Sequence, residues 1–149
     1  MDKVIYDAFA DVYDLLMEDI DYCAWTQYLH RFLQRAPRKV RKVTEAGCGT
    51  GNISICLAQL GYLLTATDLS QEMLAIAAEK ARKEGVQIMF ARQDIRQMAL
   101  GRCDALVCAC DVLNYIPVSY THLPTSTMPA AISCLSSLPQ PAILTLRNS

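Results

Sequence analysis

No stretch of this sequence approaches the roughly 18 consecutive apolar residues that mark a membrane-spanning helix. The opening Met1-Asp2-Lys3-Val4-Ile5 does not begin an apolar run of the length a signal peptide needs. A cytoplasmic location without a membrane partner is therefore expected. Seven cysteines are present, at 23, 48, 56, 103, 108, 110 and 134, but never as two CxxC pairs, so neither a zinc site nor a disulfide framework is indicated. Cys108 and Cys110 fall in an apolar run and read as small buried hydrophobes. Charge is also scarce: 19% of residues are charged and the net charge is −1. The basic run Arg38, Lys39, Arg41, Lys42 reads as a solvated approach to a strand, and no nucleic-acid partner is indicated.

Charge disappears from a long stretch after Asp111. From Val112 through Leu146 there is no Asp, Glu, Lys or Arg, while Pro, Ser and Thr accumulate between Pro117 and Thr127. Helices and strands that meet solvent carry charge on their outer face. Residues 117–149 are therefore expected to be an aberrant stretch foreign to the fold. They read as a low-complexity tail or, as the favoured account, the product of a reading-frame or assembly error.

What remains is ample for one globular domain: 149 residues in all, 52% of them hydrophobic. Ile5, Phe9, Val12 and Leu16 recur at helical spacing, and a second helix is expected from about Tyr22 to Gln34, with Trp25, Tyr28, Leu29, Phe32 and Leu33 facing inward. Pro37 ends that pattern. Lys42 to Ala46 reads as a strand, Gly47 to Gly51 as a glycine turn, and Asn52 to Leu60 as a helix closed by Gly61. The unit then repeats. Tyr62 to Thr67 is a strand, Ser70 an N-cap, Gln71 to Lys83 a helix stopped by Gly85, and Val86 to Ala91 a third strand. Asp104 to Cys110 is nearly all apolar, as a strand covered on both faces should be. Alternating strands and helices predict an α/β fold with a parallel sheet.

Three features carry chemistry. In Glu45-Ala46-Gly47-Cys48-Gly49-Thr50-Gly51, glycines at alternate positions after a strand let the backbone bend tightly and approach a ligand. Asp68, about twenty residues past Gly47 and at the end of the second strand, is placed to accept hydrogen bonds from two ribose hydroxyls. Asp94 follows the third strand in Arg92-Gln93-Asp94-Ile95. The GxGxG spacing lacks the extra residue of the dinucleotide GxGxxG motif.

Over residues 4 to about 116 the chain resembles class I S-adenosylmethionine-dependent methyltransferases of the small-molecule type found in bacteria. The resemblance implies a three-layer Rossmann-like fold whose C-terminal strands are missing here. It implies a helical lid over 1–36 and a cofactor-binding domain over 37–116. S-adenosylmethionine is the cofactor it implies, with Glu45 and the Gly47, Cys48, Gly49 and Gly51 backbone at the methionyl end and Asp68 at the ribose. Asp94 would meet the adenine amino group, the Ile95 amide a ring nitrogen, and Met73 the adenine face, although Met73 suits core packing equally; Leu69 is also counted among the cofactor-binding residues. Asp111, in Asp111-Val112-Leu113-Asn114-Tyr115, would lie near the transferred methyl. Tyr13 would touch the cofactor's carboxylate or close over the sulfonium, since an aromatic face attracts a cation, although its helical spacing suits core packing equally. Asp111 and Tyr13 are the catalytic candidates, and no metal is expected. His30 is expected at the surface. The implied activity is methyl transfer to a small-molecule acceptor by in-line displacement. Its rivals are an NAD(P)-binding oxidoreductase domain, which shares the glycine turn and Asp68 but has no use for Asp94, and an inactive methyltransferase fragment.

Overall fold

A computed structural model describes residues 21–94, 97 and 102–108, and the backbone of 142–145. The expected first helix, with Tyr13, lies outside the described residues, as do Ile95 and Asp111. Helix α1 spans Tyr22–Gln34, β1 Lys42–Ala46, α2 Asn52–Gln59, β2 Leu63–Asp68, α3 Gln71–Lys83, β3 Ile88–Arg92, β4 Ala105–Cys108 and β5 Ala142–Thr145. The strand order is β3-β2-β1-β4-β5. β1 to β4 are parallel and β5 runs antiparallel to β4.

Asp21 starts α1 by accepting the Ala24 amide at 2.9 Å, the usual work of an N-cap carboxylate. Thr26, Leu29 and Leu33 form its buried face. Phe32, expected to face inward, is 47% exposed. The reason is that Trp25, Tyr28 and Phe32 form a second stripe whose rings pack on one another, at 6.2 and 5.1 Å between centroids, rather than on the sheet.

One face of the sheet presents Val43, Leu64, Ala105 and Val107 to Leu29, Leu33, Ile53 and Leu57 of α1 and α2. Beneath α3, Leu74 packs with Cys48 and Ala66. On the opposite face Leu63 and Met89 are exposed. Ser70 caps α3 through the Met73 amide, and Arg82 and Lys83 in the last turn complement the helix dipole.

At the amino ends of the strands, one Asp104 carboxylate oxygen accepts both the Arg41 and Lys42 amides at 2.8 Å. These bonds hold its carboxyl below the usual range. The basic run therefore contributes its backbone to the fold as well as its charge to solvent.

The chain runs outward through β1, β2 and β3, then returns to place β4 on the other side of β1. In such sheets ligands settle outside the carboxyl ends, where the order reverses. The glycine turn leaves β1 at that point. Residues 142–145 fall in the stretch that composition sets apart from the fold, yet their backbone adds β5 beside β4. The physical reason is that Ala-Ile-Leu-Thr carries no charge and the free edge of β4 offers a row of unpaired amides and carbonyls. The sheet is thus parallel through four strands and mixed at the edge.

Candidate functional site

β1 delivers the chain directly into the turn. Gly47, Gly49 and Gly51 have φ of 68°, 55° and 82°, all in the left-handed region. At Gly51 the requirement is doubly strict, because a Cβ would stand 2.9 Å from the Ala77 Cβ of α3. The third glycine therefore serves close approach of α2 and α3. The turn is tied to β2 by the Cys48 amide, which donates to the Thr67 carbonyl at 2.9 Å, and closed by the Gly51 amide on the Cys48 carbonyl at 3.0 Å.

Asp68 meets this turn from the end of β2. Its Oδ2 accepts the Gly49 amide and its Oδ1 the Ser70 amide, both at 2.9 Å. The carboxylate thus joins the turn to the start of α3 while remaining half-buried. Each oxygen has a further lone pair, so bonds to backbone and to ligand hydroxyls are compatible. The ribose contact expected from sequence and the local backbone bonds seen here are therefore not exclusive.

Glu45 is 2% exposed, and its Oε2 accepts from the Ser54 hydroxyl of α2. Burial, reinforced by the nearby negative charge of Asp68, pushes its carboxyl up to about 8. At neutral pH it is mostly the uncharged acid. It lies under the turn, turned toward Ser54, rather than standing open in the crevice. Burial likewise raises the Cys48 thiol far above its ordinary value.

Leu69 is 55% exposed beside Asp68. Met73 is half-buried, and Leu74 is the first-turn residue that fills the core. Asp94 follows β3 by two residues, is half-buried, and accepts the Gln97 amide on its carbonyl at 2.9 Å. β2 and β3 pair Asp68 with Arg92, which brings Asp94 to the same end of the sheet.

Several neighbours were not legible as site residues. Arg92 Nε donates to the Leu69 carbonyl at 2.9 Å. The Gln93 side-chain carbonyl is buried, with no hydrogen-bond donor among the described residues. Ser54 had one available signal, a polar residue within an otherwise apolar helix.

His30 is brought nowhere near this site. Contrary to expectation it is half-buried, 2.8 Å from the Tyr62 hydroxyl at the amino end of β2, where the ring packs edge-on against tyrosine. A cleft of about 910 Å³ runs along the amino halves of β1 to β3, past Lys42, Leu63 and Gln87, and is lined by neither Gly49 nor Asp68.

The glycine turn, the strand-end carboxylate and the reversal of strand order together agree with comparison to known proteins. The family described as a methyltransferase domain matches residues 43–133. This chain belongs to the methyltransferase domain family. A Bacillus subtilis (strain 168) protein named as a methyltransferase, YqeM, is 43% identical over 115 residues, which are 76% of this chain and 44% of that protein. A solved S-adenosylmethionine-dependent methyltransferase from Clostridium acetobutylicum superposes with a TM-score of 0.66 at 34% identity, covering 75% of this chain and 46% of that one. Magnesium protoporphyrin IX methyltransferase from Synechocystis, solved with bound SAM, gives 0.53 at 34% identity, covering 64% and 45%. The methyltransferase-family chain therefore spans less than half the length of these relatives. Its Rossmann-like fold is the one the sequence led us to expect, with helices packed on a sheet of four parallel strands and β5 at the edge.

Proposed function

We propose that this chain holds S-adenosylmethionine at the carboxyl ends of β1, β2 and β3 and directs its methyl group to a small-molecule acceptor. The observation that carries the reading is the Asp68 carboxylate, bonded at once to the Gly49 amide of the turn and to the Ser70 amide of α3. That placement supports a ribose contact between the two. Exposed Leu69 offers an apolar surface for a purine, while Asp94 offers an acceptor for its amino group. The bare backbone at Gly47 and Gly49 leaves space for the amino-acid end.

The cofactor supplies an activated methyl on a positively charged sulfur, so no metal or catalytic triad is required of the protein. Its residues have to hold and align, and alignment contributes on the order of 7–11 kcal/mol to such displacements. Tyr13 and Asp111 are proposed beside the transferred methyl, and Ile95 at the purine. The name of the Synechocystis relative, a protoporphyrin methyltransferase, supports a small-molecule acceptor. Membership in a methyltransferase family leaves the oxidoreductase reading without support.

Titration with S-adenosylhomocysteine tests the reading. Hydrogen bonds to a charged group contribute about 1.5–3 kcal/mol, so Asp68→Ala and Asp94→Ala should each weaken binding by roughly tenfold or more. Binding of NAD in place of S-adenosylhomocysteine, or an unchanged affinity in Asp94→Ala, would refute it.

A further inference from the structure

Lys80 is in the third turn of α3, outside every segment assigned to the cofactor, yet its ammonium reaches the glycine turn. Nζ donates to the Thr50 hydroxyl at 3.3 Å and to the Asn52 side-chain carbonyl. Asn52 in turn donates to the same Thr50 hydroxyl at 3.4 Å. Thr50 is 2% exposed, and Lys80 and Asn52 are half-buried, so the three polar groups form a mutually bonded cluster beside Gly51. Ala77, one turn earlier on α3, marks the place where the two helices touch.

The sign of the charge makes this arrangement informative. The N-terminus of a helix is electropositive and is ordinarily met by a carboxylate. Helix α2 has glycine as its N-cap, no side-chain cap bond and no acidic residue in its first turn. It receives a lysine instead, which opposes its dipole. Lys80 is therefore poorly placed to stabilise α2 as a helix. What its bonds do fix is the position of Thr50 and Asn52, the two residues flanking Gly51, whose φ of 82° has no side chain to hold it.

We propose that Lys80 is a positioning residue for the cofactor turn, a strut from α3 that keeps Thr50-Gly51-Asn52 in the shape that presents Gly49 to Asp68. The role rests on the function proposed above only in its consequence for binding. The strut itself is a property of the chain without ligand.

Two measurements on the full chain separate these levels. In Lys80→Met, amide hydrogen exchange at Gly49 and Gly51 should accelerate by about tenfold or more while the amides of β1 and the body of α3 keep their protection. Affinity for S-adenosylhomocysteine should fall by a similar factor, with Lys80→Arg restoring part of both. Unchanged exchange at Gly49 and Gly51 overturns the proposal. So does acceleration spread evenly over the chain, which marks a general stabilising role. If the unsubstituted chain binds no S-adenosylhomocysteine but exchange still responds at the turn, the functional reading fails and the strut stands.

Discussion

The Gly49 amide and the Asp68 carboxylate meet at 2.9 Å, nineteen positions apart in sequence, and so join the turn after β1 to the end of β2. The same carboxylate accepts the Ser70 amide. An asparagine has one side-chain oxygen, and its NH₂ group would face one of the two amides donor to donor.

Asp68→Asn is therefore expected to lower stability by about 1–3 kcal/mol even without ligand. Urea unfolding of the two chains measures it. An unchanged midpoint would show that these bonds add nothing in the free protein.

Gly51→Ala combines two penalties. A non-glycine residue in the left-handed region costs about 1–2 kcal/mol, and the new methyl meets Ala77 at 2.9 Å. A total loss of roughly 2–4 kcal/mol is expected. Adding Ala77→Gly should return the steric part and leave the backbone part. A thermal-denaturation double-mutant cycle with no coupling would contradict the contact.

Glu45 gives a pH dependence of unusual sign for an acid. Its folded pKa, about 8, lies above the ordinary value of 4.5. Below the lower value both states carry the proton and there is no penalty. As pH rises from 4.5 to 8 the unfolded chain ionises first, so stability falls, on the order of a few kcal/mol in all. Above 8 the penalty is complete. Unfolding measured at pH 5, 6.5 and 8 should show this decline. Glu45→Gln should flatten it, and a wild-type slope in that variant would exclude Glu45 as its source.

Thiol chemistry should follow burial. Cys23 is exposed, while Cys48 and Cys108 are buried. Burial raises the Cys108 thiol to about 12 and that of Cys48 further still. At neutral pH iodoacetamide is expected to label Cys23 promptly and to reach Cys48 and Cys108 only after denaturation. Peptide mass mapping before and after adding denaturant reads this directly.

Local signals carried much of this fold. The bounds of α1, β1 and α3 follow from helical periodicity, from Ser70 as a cap, and from Pro37 and the glycines that punctuate the units. β3 begins at Ile88, two residues later than its apolar character implies, because the chain is still leaving the left-handed Gly85. What the sequence could not display is which of two apolar stripes a helix buries. Periodicity puts Phe32 and Leu33 side by side, and only the position of α2 sends Leu33 inward and Phe32 out. His30 was similarly opaque, since its partner Tyr62 is 32 positions away.

In the site, the glycine spacing and the strand-end acids were visible because backbone chemistry demands those residue types at those places. Ser54, Lys80 and Arg92 were not, because each acts through a side chain arriving from another element. The pairing of β5 with β4 depends on a vacant edge and leaves no local mark.

Asp104 has a consequence for how the crevice can open. By gripping the Arg41 and Lys42 amides together, it rivets β4 to β1 at their base. The backbone ladder joins the two strands along their length, and this added clamp makes the base the firmer end, so fraying starts at the tips. The tips here are Ala46 and Cys108, register partners on either side of the strand-order reversal. Any breathing of this pair is thus delivered where the glycine turn begins, and the rivet stays charged across the pH range in which Glu45 titrates.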